Sequence, residues 1–104
     1  KSKILDCSIN GYELEKKKRN YRKVIEEVFI IINDFDKIIK DITWVKKGKY
    51  IEHGYSYIEL INISIQGQDA NTSVREIKKK CIENSISIQM KIQLENNSIT
   101  NINI

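Results

Sequence analysis

Apolar side chains recur at alternating steps of four and three along the first half of this chain, at Leu14, Tyr21, Ile25, Val28, Ile32, Phe35, Ile39 and Ile42. The slot at Lys18 carries a charge instead. Such a beat keeps one narrow stripe on one side of a helix, as in a coiled-coil seam. The spacing predicts a single long amphipathic helix over residues 12–42, after a lead-in at 1–11. Gly11 with Asn10 before it reads as the start signal, and the pairs Glu13/Lys17, Glu15/Arg19 and Asp36/Lys40 support a solvated outer face. Asn33-Asp34 is the weak point, because both side chains compete for backbone hydrogen bonds. A second apolar row, Val24, Ile31 and Ile38, joins the stripe late. The later half is therefore expected to pack on the rest of the domain, while the half before Tyr21 projects and seeks a partner.

The period then changes. Thr43-Trp44-Val45-Lys46 reads as a short strand ended by Gly48, which residues 49–53 extend or pair with, and Tyr55 to Ile65 reads as the clearest strand, closed by Gly67. A second helix is expected from a capping box at Ser73 and Glu76, with Val74, Ile77 and Cys81 as its buried row. Residues 86–94 alternate again, Asn96-Asn97 supplies a turn, and 99–104 forms a last strand. The expectation is an α+β domain, 12–104, in which residues 43–104 build ββαββ. Two helices would cover one face of a four-stranded, mainly antiparallel sheet and leave the other face polar.

With 104 residues the chain suits one domain, expected to be a fragment of a longer protein because it begins on Lys1 and stops on an alternating run. The 18 Lys and Arg against 14 Asp and Glu leave +4, much of it in the run Lys16 to Lys23. No run of about 18 apolar residues is present, so neither a membrane-spanning helix nor a signal peptide is expected in this segment. The abundance of Ile and Asn without Pro reads as codon bias. Cys7 and Cys81 form no framework: free buried thiols are favoured, with a single bridge to the second helix as the alternative.

No chemical motif stands out. His53 lies beside Glu52 and Gly54 and reads as a surface turn histidine, because Cys7, His53 and Cys81 share no zinc-ligand spacing. Asp34, Asp36 and Asp41 read as a solvated helix face rather than as acid–base groups. An enzyme, a metal and a cofactor are therefore not expected. The basic residues Lys16, Lys17, Arg19, Arg22 and Lys23 have three readings: a solvated face, a membrane-surface contact or a salt-sensitive nucleic-acid contact. Against RNA readout, Ile63, Ile65, Ile88 and Met90 stand where stacking aromatics belong. Trp44, Tyr50, Tyr55 and Tyr57 read as edge packing.

The order helix, strand, strand, helix, strand, strand, with Ile61 to Asn71 leading into Val74 and Cys81, resembles the type IV pilus assembly-platform proteins of the PilN and PilO kind. It is also similar to the L and M components of type II secretion. The resemblance implies a circularly permuted ferredoxin-like fold (αββαββ) and a non-enzymatic scaffold held at the cell membrane by an anchor outside this segment, with the domain on the extracytoplasmic side. It implies a homodimer or a heterodimer with a sister platform protein. The leading contacts would be Leu14, Tyr21, Ile25 and Val28, joined by exposed sheet edges. The alternatives are a basic ferredoxin-like nucleic-acid-binding domain and an oligomerising interaction module of the ring-forming or immunity type.

Overall fold

Asn10 and Gly11 both take positive φ, 50° and 83°, the pattern of a two-residue type I′ hairpin turn. They start no helix. In the computed structural model, which describes residues 2–104, they join β1 (Lys3–Ile9) to the short β2 (Tyr12–Glu13), with Ile9 opposite Tyr12. The Leu14 amide continues the pairing by donating to the Cys7 carbonyl at 2.8 Å. Leu14 is therefore buried as part of this hairpin rather than projecting on a helix.

The expected helix over 12–42 is not seen. A 3-10 turn at Lys16–Lys18 precedes α1 (Tyr21–Ile32), whose N-cap Asn20 accepts from the Lys23 amide at 3.0 Å. Asn33 ends α1 in the left-handed conformation, and Asp34 caps α2 (Phe35–Ile39) by accepting from the Lys37 amide. The stripe breaks where its two weak helix formers stand. Val24, Ile25, Val28 and Phe29 are all buried, an apolar face broader than a coiled-coil seam and suited to a globular core.

Residues 55–65 also depart from a single strand. β4 (Tyr55–Ile58) leads into a 3-10 turn at Glu59–Ile61, and Asn62, in the left-handed conformation, reverses the chain into β5 (Ile63–Gln66). With β3 (Val45–Lys47) these make a three-stranded antiparallel sheet of order β3-β5-β4. Residues 49–53 form no strand but fold over its outer side. There the fully buried Ser64 hydroxyl donates to the Gly48 carbonyl at 2.7 Å and accepts from the Tyr50 amide at 2.8 Å.

α3 (Ala70–Glu83) begins one turn before the expected capping box: Asp69 is its N-cap and accepts from the Thr72 amide at 2.7 Å. Ser73 and Glu76 are buried inside the helix, with Ile77 and Cys81 on the same face. β6 (Ile88–Gln93) and β7 (Ile99–Asn103) follow as a hairpin through Asn96-Asn97. They join the start of the chain in a four-stranded antiparallel sheet of order β2-β1-β6-β7. The expected four-stranded sheet within 43–104 is thus replaced by two sheets, because the residues taken as a lead-in supply a central strand. The fold is α+β, and one apolar core draws on both sheets and all three helices. Phe29 stacks on Trp44 within it, ring centroids 6.1 Å apart.

Candidate docking groove

β6 points Ile88, Met90 and Ile92 inward and Gln89 and Lys91 outward. α3 turns Ile77 and Cys81 into the core and, at spacings of three and four, holds Arg75, Lys78 and Ile82 on one exposed stripe. A groove of about 700 Å³ runs between that stripe and β7. Val74, Ile82, Ile92, Leu94 and Ile102 line its apolar floor and wall, and Arg75, Lys78 and Lys79 stand along it as cations. Ile82 is 66% exposed and Leu94 39%. The Tyr21 and Ser2 hydroxyls, 2.9 Å apart, close one end.

The cations here differ in availability. Lys79 lies 2.9 Å from Asp41, and its hydrogen bond holds that carboxyl below its ordinary range. Glu83, the one acid lining the groove, is 3.5 Å from Lys40. Arg75 donates to the Thr72 hydroxyl at 3.5 Å and its charge helps to hold the Asp69 carboxyl low, and Lys78 is exposed.

The basic run 16–23 is dispersed by folding. Arg19 turns back on the first hairpin, donating to the Leu14 carbonyl at 3.1 Å, the Leu5 carbonyl at 3.3 Å and Glu13 at 3.3 Å. Arg22 donates to the Ser56 hydroxyl of β4, and glycine at position 67 leaves room for its guanidinium, which a Cβ there would meet at 2.9 Å. Lys17 pairs with Glu15, Lys18 with Glu27 and Lys23 with Glu26, at 3.4 to 3.6 Å, while Lys16 stays exposed. Of the expected partner contacts, Leu14, Ile25 and Val28 are buried and Tyr21 is half-buried against the core. As folded, they brace the domain from within.

Tyr50, Tyr55 and Tyr57 lie beside the small sheet. Lys46 lies over the rings of Tyr50 and Tyr55, 5.1 and 5.6 Å from their centroids, and Lys49 lies over Tyr57 at 5.9 Å. His53 sits at their edge, with positive φ. Among the described residues no cluster of three or more His, Cys, Asp or Glu is placed to hold a metal, and no helix is long and apolar enough to cross a membrane.

Cys7 and Cys81 are free and buried. Burial pushes the Cys7 thiol up to about 11, against a smaller opposing pull from Arg19, and the Cys81 thiol up to about 12. Both stay protonated and unreactive near neutral pH. An unfolded chain releases these protons from about pH 9 upward, so their contribution is complete below that value and is lost as pH rises through 11 and 12. The denaturant midpoint is expected to fall above pH 9 more steeply than in the Cys7→Ala/Cys81→Ala double variant. Equal slopes would show that the thiols contribute nothing.

Comparison with protein-family models, with curated proteins and with solved structures finds no match to this chain.

Proposed function

We propose that this domain is a non-enzymatic interaction module that docks a protein segment in the groove between α3 and β7. The observation that carries this reading is a continuous apolar channel with the cations Arg75 and Lys78 on its rim. Ile82 and Leu94 are open to water there; Tyr12, Ile31, Ile51, Leu60 and Ile99 are exposed as well, but none of them lines this channel. Large exposed apolar side chains beside a concave surface are the mark of an interaction site.

A pilus or secretion platform at the cell membrane is one setting for such a module, and a homodimer or a sister platform protein would then supply the segment. That setting draws support from the passage of an apolar strand through Gly67 into α3. The circularly permuted ferredoxin-like fold and the extracytoplasmic position behind an external anchor belong to the same setting. They draw nothing from residues 12–42, which form a hairpin end and two short helices. The nucleic-acid alternative has less to stand on, since Arg19 and Arg22 hold the chain's own oxygens and Lys46 and Lys49 lie over tyrosine rings.

The test is a display selection of random dodecapeptides on the folded domain, followed by binding to the Ile82→Asp variant. Ligands that lose at least tenfold on that substitution are expected. A selection that enriches nothing, or ligands indifferent to Ile82→Asp, would remove the groove as the working surface.

A further inference from the structure

Resting on the groove reading above, we infer that the occupant is an extended, acidic segment that adds to β7 as a fifth strand of the larger sheet. The register of the last hairpin sets the edge. Ile88 and Ile104 exchange both backbone hydrogen bonds, at 3.2 and 2.9 Å. In an antiparallel pair the bonded positions alternate, so Ile102 and Thr100, opposite Met90 and Ile92, turn their amides toward β6. The amides and carbonyls of Ile99, Asn101 and Asn103 therefore face away from the sheet. β7 is the outermost strand, so nothing in its own sheet pairs with them.

This edge lacks the devices that usually block one. Its sequence, Ile-Thr-Asn-Ile-Asn, has no charge and no Pro. The other edges differ: β2 has two residues, β3 carries Lys46 and Lys47, and β4 is approached by Arg22 through Ser56. A strand laid on β7 would turn every second side chain to the inner side of the sheet, into the channel lined by Ile82, Ile92 and Ile102.

Charge selects the chemistry. With Lys79 held by Asp41 and the single lining acid, Glu83, beside Lys40, the groove keeps Arg75 and Lys78 as its exposed cations. Acidic side chains on the added strand would meet Arg75 and Lys78. A second copy of this chain, with its own net charge of +4, would instead bring two sets of these cations together.

The test uses a capped heptapeptide alternating Glu and Val, with the Lys and Val peptide as comparator, titrated into isotope-labelled domain and followed by amide shifts and amide exchange. The acidic peptide is expected to bind at least tenfold more tightly than the basic one. It should protect the amides of Asn101 and Asn103 and lose at least tenfold with Asn101→Pro, which removes an outward donor and no bond to β6. N-methylation of alternate peptide amides is expected to abolish binding in the wild-type domain, a measurement independent of how the proline variant folds. Shifts on α3 without protection of β7, or binding that survives N-methylation in both registers, would overturn strand addition and leave the groove reading standing. Equal binding of the two peptides would overturn the acidic preference. No binding of either, or a domain that sediments as a dimer and dissociates on Asn101→Pro, would overturn the inference, the latter in favour of a second copy.

Discussion

Replacing Lys80 with methionine is expected to cost about 3 to 5 kcal/mol, the cost of breaking a buried ion pair from one side. Lys80 is completely buried, its Nζ 3.0 Å from Glu76 Oε2 and 2.9 Å from the Lys40 carbonyl. Glu76 is 7% exposed, and its Oε2, although close to the ammonium, makes no aligned hydrogen bond. With Lys80 gone, the buried carboxylate would lose the cation in contact with it, and the Lys40 carbonyl just after α2 would lose its donor. Domains of this size are stable by only about 5 to 15 kcal/mol, so the urea midpoint, followed through Trp44 fluorescence, should drop by a large fraction. The Glu76→Leu/Lys80→Met double variant is expected to recover most of that loss, since a well-packed apolar pair often equals a buried ionic one. A single variant as stable as the wild type would show that the pair contributes nothing.

Phe29→Ala is expected to cost a similar amount, about 3 to 5 kcal/mol, through lost burial and the cavity left behind. Phe29 is 1% exposed, stacked on Trp44, and its carbonyl accepts the Asn33 amide that ends α1. Ile82→Ala, on the same measurement, is expected to stay within about 0.5 kcal/mol because that side chain is 66% exposed. The contrast matters for function: an apolar residue that the fold hardly uses is available to a partner. If Ile82→Ala destabilised the domain as much as Phe29→Ala, the groove would be core rather than docking surface.

The helical stripe was legible as an apolar face but not as to its role. Leu14, Ile25 and Val28 are apolar for a core that β1 and α3 complete, and spacing alone does not say whether a stripe meets another chain or its own. Asn10-Gly11 carried a stronger signal than the helix start assigned to it, since Asn-Gly between short apolar segments is the mark of a type I′ hairpin. The adjacent Leu60-Ile61 likewise interrupts the alternation from Tyr55 to Ile65 where the chain reverses. The abundant asparagines also have structural work: Asn10, Asn33, Asn62 and Asn97 take the positive φ that glycine would otherwise supply.

The sequence by itself determined the local features: the α+β class, Ile77 and Cys81 of the expected buried row (Val74, its third member, is half-buried and lines the groove), the hairpin at Asn96-Asn97, the alternation of β6 and the weak point at Asn33-Asp34. These follow from side-chain periodicity and backbone preference over a few residues. Only the tertiary structure decided that residues 3–9 form a central strand, that Arg19 and Arg22 turn inward, and that a cationic groove opens beside β7. The pairing of β1 with β6, in which Ser8 bonds Gln89 across 81 positions, brings those parts together. Local patterns report which side of an element is apolar; what covers that side is settled by contacts between residues far apart in the chain.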